Sequence, residues 1–568
     1  MWYDMELRGA TTRLTETPLC LIPLGGLGEF GLNMMAVRYG DHIIVIDAGM
    51  MFPEAELLGV DIVIPDITYL EQNRAKVRAI VLTHCHEDHI GAVPYILRAL
   101  NVPVYGTEFT LALVRRRLEE HGLLDSARLE QIAPGKTFEI GPFSIEPIHV
   151  THSTIDCVAL AVRTPQGVLV HTGDFKIDST PVDGRPFDLH SLARYGDEGV
   201  LALVADSTNI ERPGHTPSER AVWPRLEELV RAAPGKALIS CFASSIHRIQ
   251  QVIDISAKLG RKVAFIGRSM VDNVEIAHDL GRLRIPDAMV VKPQNIGDMD
   301  PRKLVVLVSG SQAEPLSSLS RIAVDNHRFV RLERADTVVL SARIIPGNEK
   351  AIFRMIDHMF RRQALVYYSD GAGSPVHVSG HASQEEMKTV LNLVRPRFFF
   401  PIHGDYHQLF RHAAMAEQTG MVGGRVLLVE DGQQVLLTRD SASVGEPVTA
   451  GRVCVDSGSL EEIEEAVIRD RRHLAEDGVV IPIIAIDKHT GRIEGQPEIV
   501  TRGLVPSDNG QELTSRAREV VLRTIENSNP DERGDWTVIK EKIRGDLRRH
   551  LNRETSKRPL VLPVILEI

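Results

Sequence analysis

Along the first part of the chain, short apolar runs alternate with polar clusters. The runs at 19–24, 42–46, 79–82 and 168–170 have the continuity of buried strands. A glycine-rich stretch follows the first and Asp47 the second. Thr83-His84-Cys85-His86-Glu87-Asp88-His89 follows the third, and His171-Thr172-Gly173-Asp174 the fourth. Residues 66–100 read as helix, strand, polar loop and second helix. Between 200 and 355, runs at 201–205, 237–241, 263–266, 304–308 and 338–340 alternate with helical segments, the grammar of a parallel α/β sheet. Small polar residues close each: Asp206-Ser207-Thr208, Phe242-Ala243-Ser244-Ser245, Gly267-Arg268-Ser269, Ser309-Gly310-Ser311-Gln312 and Ser341-Ala342-Arg343. The pattern returns at His377-Val378-Ser379-Gly380-His381. An amphipathic helix follows, with Ser383 and Glu386 at capping-box spacing and Pro396 as its stop. The run 398–402 then ends in His403-Gly404-Asp405. Residues 441–460 read as a linker or crossing strand. Beyond them come a helix from Leu460, a strand at 479–486, a long helix from Gln511, a basic helix with the buried stripe Ile543, Leu547 and Leu551, and a final apolar strand at 559–568.

Gly26, Gly28 and Gly31 spell GxGxxG, with Asp47 at the distance of a ribose-binding acid. A dinucleotide site needs a helix after the glycines. Here 32–37 runs into the turn Tyr39-Gly40-Asp41 and another strand, which is a hairpin. The glycines are therefore read as turn residues whose backbone lies close to a site.

Composition changes the picture little. The 568 residues are 43% hydrophobic and 25% charged, ordinary values for a globular protein of several domains. The formal charge of −11 argues against nucleic acid as a partner, although a local basic groove outweighs a total. Five cysteines without a CxxC pair point to reduced thiols in a cytoplasm. Residues 1–20 are charged and lack the apolar core of a signal peptide, and no run reaches the roughly 18 apolar residues that span a bilayer. Between 540 and 558, eight Lys/Arg stand against three Asp/Glu, a solvated helix face or an RNA contact.

Three imidazoles and two carboxylates within six residues, directly after a strand, are ligands suited to zinc, with manganese the harder alternative. A solvated loop is the plainer explanation for one histidine, not for this density. His149-Val150-Thr151-His152 forms a second cluster; His149 and His171 are ligand candidates that serve equally as core histidines. The small residues closing the strands between 200 and 355 let phosphate approach backbone N–H groups, or act only as turns and caps.

Together these residues resemble the metallo-β-lactamase superfamily, through HxHxDH at His84, His86, Asp88 and His89. The segment 209–355 resembles the β-CASP insertion of nucleic-acid nucleases, and nearly the whole chain is similar to the bacterial ribonuclease J family. The most specific pieces are residues 23–29, 205–209, 212–219, 377–381 and 401–404. The resemblance implies an α/β fold: a metallo-β-lactamase αββα sandwich (1–208 and 356–440), an inserted β-CASP parallel-sheet domain (209–355), a linker (441–460) and a small α/β C-terminal domain (461–568). It implies two divalent ions, one on His84, His86 and His152, the other on Asp88, His89 and His403, with Asp174 bridging and Asp47 orienting the site from behind. His381 would face the scissile phosphate, Asp206 would hold a ligand histidine, and a proton held at the ions or relayed by Asp88 would reach the leaving group. A 5′-phosphate pocket maps to His377, Ser379, Gly380, Ser244, Ser245, Arg268 and Ser311. Cys85 stands where the family has a small residue, and Ser244-Ser245 and Gln312-Ala313-Glu314-Pro315 depart from its Ser-Asn and Gln-Gly-Glu-Pro forms.

The implied activity is RNA hydrolysis, 5′→3′ from monophosphate ends and also internal, in RNA processing and decay. The implied partners are RNA, a second or further copies of the chain bound through the C-terminal domain, and components of an RNA-decay complex; none is a membrane. A small-molecule metallo-hydrolase would share HxHxDH but have no use for the insertion or His381. A non-catalytic RNA-binding paralogue would have lost ligands, and none is lost here.

Overall fold

The computed structural model describes residues 16–53, 57, 59–314, 317–345, 348–368, 375–420, 425–456, 461–487, 493–504, 510–528 and 536–567. Most of the charged N-terminal stretch, Pro315 and linker residues 457–460 lie outside them. The chain divides into two compact units, 1–51 with 63–453, and 52–62 with 454–568.

The first unit holds three sheets. Eight strands are ordered 442–444, Val435–Leu437, Leu19–Gly25, Met34–Tyr39, His42–Ile46, Val77–Val81, Val104–Gly106 and Leu129–Gln131. Six are ordered Phe398–Ile402, Val200–Asp206, Gly167–His171, Val158–Thr164, Phe143–His149 and Phe138–Ile140. These two sheets face each other across one apolar core. Leu19, Leu21, Val37, Ile44 and Val81 of one meet Phe143, Leu160, Leu169, Val204 and Phe400 of the other. Alternate residues of the six-stranded sheet, among them Val170, Leu203 and Phe399, bury the helices Leu189–Glu198, Gln384–Val394 and Tyr406–Gln418. The helix Glu108–Glu120 packs on the eight-stranded sheet. The result is an αββα sandwich. The Ser383–Glu386 capping box forms as its spacing requires, and the glycine-rich stretch leads into the antiparallel hairpin 34–39/42–46, with no helix between.

Five parallel strands make the third sheet, in the order Lys262–Ile266, Leu304–Val308, Ala237–Ser240, Thr337–Leu340 and Leu365–Tyr367. The run 201–205 is not among them, contrary to its grouping by pattern. It pairs with 167–171 and 398–402 in the sandwich, and its place is taken by Leu365–Tyr367, past the expected boundary at 355. An apolar run carries no mark of which sheet it joins; partners nearly two hundred residues away settle that.

The second unit is a sheet of Glu498–Arg502, Val479–Ile486, Leu560–Val561 and Val564–Glu567, covered on one face by the helices Gly510–Glu526 and Trp536–Thr555. Ile543, Leu547 and Leu551 are fully buried there. The helix expected from Leu460 begins at Glu465, after the short strand Glu461–Glu462. Ile543→Ala is expected to cost the second unit about 2–5 kcal/mol, the usual range for emptying a tight aliphatic site. Chemical denaturation followed by a probe in that unit checks it.

Candidate metal centre

Parallel pairing sets the site. Strand 42–46 runs parallel to 77–81, and 167–171, 200–206 and 398–402 run parallel to one another. Their C-terminal ends release Asp47, the 83–89 loop, Asp174, Asp206 and His403 at the sheet edges where open α/β sheets hold ligands.

His84 Nε2 lies 3.1 Å from His86 Nδ1, which lies 3.2 Å from His152 Nε2. Asp174 Oδ2 is 3.6 Å and 3.8 Å from the first and third of these nitrogens. Beside them, His89 Nε2 is 3.3 Å from the same Asp174 oxygen and 3.7 Å from Asp88 Oδ2, and Asp88 Oδ2 is 3.3 Å from His403 Nε2. The two sets share Asp174. Zinc–nitrogen bonds of about 2.0–2.1 Å in a tetrahedron put neighbouring donors about 3.3 Å apart. The donor chemistry and spacing fit a divalent ion in each set.

The outward ring nitrogens fix the donors. His152 Nδ1 donates to the Gly380 carbonyl at 2.8 Å, which leaves Nε2 as a lone pair. His84 Nδ1 meets Thr83 Oγ1 at 3.0 Å. His89 Nδ1 meets Asp47 Oδ2 at 2.8 Å, and Asp47 is itself held by the Thr83 N–H and hydroxyl. His403 Nδ1 meets Thr208 Oγ1 at 2.7 Å and Asp206 Oδ1 at 3.3 Å. The second Asp206 oxygen takes His381 Nδ1 at 2.8 Å, so one carboxylate ties His403 to His381.

Burial pushes His84 and His152 well below the ordinary imidazole range and His86 down to about 4. Burial acts the same way on His89 and His403, but the carboxylates outweigh it. Asp174, Asp88 and Asp47 raise His89, and Asp174, Asp206 and Asp88 push His403 up to about 10. Burial likewise opposes charge on Asp174 and Asp88, and the facing imidazoles still hold both below the usual carboxylate range.

Two glycines matter by close approach. A Cβ on Gly49 would meet the Asp88 carbonyl oxygen at 1.7 Å, and one on Gly380 would meet the His152 ring at 2.7 Å. Gly380, expected in the phosphate pocket, thus backs His152 of the first donor set. The GxGxxG glycines have a role too. The Gly26 carbonyl accepts the His403 N–H, Gly28 N–H donates to the Gly404 carbonyl, and Asp431 takes the Leu27 N–H. The loop braces the backbone of His403.

His149 and His171 are outside both sets. His149 Nε2 meets the Arg185 carbonyl, and His171 Nδ1 accepts the Gly173 N–H. Glu87 pairs with Arg117. Cys85 turns its Sγ to Thr154 Oγ1 at 3.3 Å, with its thiol pushed up to about 12 by burial. It is a buried filler.

Of the expected phosphate residues, Ser379 Oγ accepts from Asn209, whose carbonyl oxygen takes Arg343 Nη1 at 2.9 Å. Arg248, on the helix that Ser245 begins, donates to Ser341 and to the Val376 carbonyl. His377 stands in this positive surrounding. Its Nδ1 is buried without a partner among the described residues, and burial followed by Arg248, Lys176, Arg343 and Arg212 holds the ring well below the ordinary range. Ser311 is buried beside Gln312, which donates to the Arg343 carbonyl. Arg268 is exposed at the end of strand 262–266, two strands from 237–240, and no contact among the described residues joins it to this group.

Models of known families match in four consecutive stretches: the metallo-beta-lactamase superfamily at 27–234, the ribonuclease J beta-CASP domain at 234–359, the Zn-dependent metallo-hydrolase RNA specificity domain at 374–427 and the ribonuclease J C-terminal domain at 466–568. The chain is 40% identical to the ribonuclease J of Thermus thermophilus over 96% of its own length and 95% of that protein. It is 39% identical to that of Synechocystis over 96% and 86% of the two, and 37% identical to the ribonuclease J2 of Bacillus subtilis over 96% and 98%. The chain belongs to the ribonuclease J family. A solved chain of unknown function from Enterococcus faecalis V583 shares the fold at 16% identity, with a TM-score of 0.53, covering 74% of this chain and 100% of that one.

The sequence pattern gives no individual role to Thr83, Thr208, Asn209 or Arg343, while it does place the glycine backbone near a site. Thr208 and Asn209 stand two and three positions after Asp206 in the cluster that closes its strand, and that closeness is the available signal. Arg343 is marked only by closing the strand 337–340, and its partner, 134 positions away, has no local signal.

The raised His89 and His403 carry protons in the metal-free chain at neutral pH, and an incoming ion must displace them. Metal binding is therefore expected to release protons, and affinity to rise with pH until about 10, where His403 loses its proton unaided. Calorimetric titration in buffers of different ionisation enthalpy checks this; equal heats in all buffers would contradict it.

Proposed function

We propose that this protein is a metal-dependent ribonuclease that hydrolyses RNA phosphodiesters, 5′→3′ from monophosphate ends and also internally, in RNA processing and decay. The observation that carries the reading is the pair of donor sets sharing Asp174, with His381 joined to one of them through Asp206. His84, His86 and His152 would hold one ion, Asp88, His89 and His403 the other, and Asp174 both. Five imidazoles favour zinc; the two carboxylates also accept manganese. Two such ions, when bound, acidify a water and neutralise phosphate oxygens.

The chain's own residues do the rest. Asp47 fixes His89, and Asp206 fixes both His403 and His381. With Nδ1 of His381 on Asp206, Nε2 is the nitrogen left for the scissile phosphate, and it donates to a phosphate oxygen when the ring is protonated. Attack on phosphorus runs in line with the departing 3′ oxygen. Asp88 is one-third exposed where His403 and His89 are buried, which supports a relay of a proton past it to that oxygen.

The orphaned Nδ1 of His377, with Arg248, Arg343 and Lys176 around it, supports a pocket for a terminal phosphate that also involves Ser379, Ser244 and Ser245. A terminal phosphate offers more charge and more acceptor oxygens than an internal one. Homo-oligomers through the C-terminal unit are supported by the second face of its sheet, where Ile481 and Ile483 are half-buried and Val564 and Leu566 exposed. Cytoplasmic residence is supported by five free cysteines. No described helix is long and apolar enough to cross a membrane.

His84→Ala is expected to abolish metal-dependent cleavage and lower metal content. His381→Ala keeps the metal and loses turnover by about 10²-fold or more, the scale of losing one acid–base or charge-stabilising group. Elemental analysis beside cleavage rates separates the two, and wild-type rates in metal-depleted His84→Ala would refute the assignment. RNA bearing 5′-monophosphate is expected to be degraded faster than 5′-hydroxyl or 5′-triphosphate RNA. Equal rates would rule out the pocket.

A further inference from the structure

The C-terminal unit carries a shallow pocket of about 200 Å³. Arg469, Asp470 and His473 line it from the helix Glu465–Asp477, Arg548 from the helix Trp536–Thr555, and Arg558 and Leu560 from the entry to the last strands. Arginines from three separate segments, all of them exposed to solvent, thus line one space. None of them makes an ion pair or hydrogen bond among the described residues, and Asp470 lies beyond ion-pair reach of all three. Arginines close by are paired: Arg544 with Glu541, Arg549 with Asp546, and Arg516 with Glu512 and Glu554. The carboxylates nearest Arg548 on its own helix are thus engaged with other arginines, and among the described residues Asp470 is the one acidic group that lines the space with the three unpaired arginines. His473 has Asp477 at 3.9 Å.

Like charges held together without a partner are unfavourable, and in a chain of formal charge −11 their concentration is not a by-product of composition. A guanidinium presents a planar fork of donors that matches phosphate oxygens in pairs. Leu560 adds an apolar wall on which a ribose or base can rest. We propose that this pocket grips a phosphate of single-stranded RNA, giving the C-terminal unit a sequence-independent RNA contact of its own. The choice of RNA as the phosphate source rests on the ribonuclease reading.

The test uses the full chain stripped of metal, so that RNA stays intact, and follows the anisotropy of a long fluorescent 5′-hydroxyl RNA through a salt series. The combined variant Arg469→Gln, Arg548→Gln and Arg558→Gln is expected to bind about tenfold more weakly, with a salt slope lower by about one. Lysine at the same three positions restores most of the affinity, because the charge returns without the fork. Arg548→Gln alone shifts binding in the same direction, so the outcome does not hang on the triple variant folding. With metal restored, the triple variant cleaves a 5′-phosphorylated pentanucleotide at the wild-type rate. Unchanged affinity and slope in both variants would overturn the proposal. So would inorganic phosphate or adenosine monophosphate binding that is lost in the triple variant while RNA affinity stays the same, since the ligand would then be a small phosphate. A wild-type chain that cleaves no RNA defeats the ribonuclease reading, and the anisotropy series still decides the pocket.

Discussion

Lone pairs that face one another are the constraint on which this fold turns. His84, His86 and His152 aim ring nitrogens at a common point within 3.2 Å of a neighbour, and free imidazoles would rotate away from such an arrangement. For most of the cluster the rotation is blocked from behind. Thr83 holds His84, the Gly380 carbonyl holds His152, Asp47 holds His89, and Thr208 with Asp206 holds His403. The outer contacts choose the tautomer and the direction of each donor, so a cation meets a cage already set for it.

The sheets deliver that cage. Neighbouring parallel strands must end at the same edge, so residues far apart in sequence arrive together without a long connecting loop. Asp206 and His403 follow strands in direct register, Asp206 opposite Ile402. The turns there are strained: Asp47 and His403 have φ of +61° and +59°, in the left-handed region that side chains other than glycine seldom adopt. The strain falls on Asp47, which is bonded to His89, and on His403 of the second donor set, where the surrounding hydrogen bonds over-determine the backbone.

A second buried set of charges joins the sandwich to the inserted sheet. Lys176, Asp178, Glu219 and Arg248 are all nearly inaccessible, with Arg248 Nε 2.5 Å from Glu219 and Lys176 Nζ 3.8 Å from Asp178. Burying ions carries a desolvation cost, and their mutual attraction offsets it only in a specific geometry. Such a network stabilises less than an apolar core would, but it permits few alternative packings. Its two cations are among the groups around His377, so the contact that sets the two sheets together also charges the pocket.

By itself the sequence marked most of the elements and the donor types clustered at strand ends, while the pairing of donors into two sets came from the family resemblance. Periodicity reports burial, and imidazole and carboxylate clusters after a strand leave few other uses. The sequence also excluded a dinucleotide loop, because a hairpin follows the glycines. Only the tertiary structure decided which strands flank 200–206 within the sandwich, that His149 and His171 lie outside both donor sets, that Gly380 serves His152, and that Arg343 reaches Ser379 through Asn209. Each depends on which distant segments lie side by side. That is fixed by packing across the whole core, and no local pattern of apolar and polar residues encodes it.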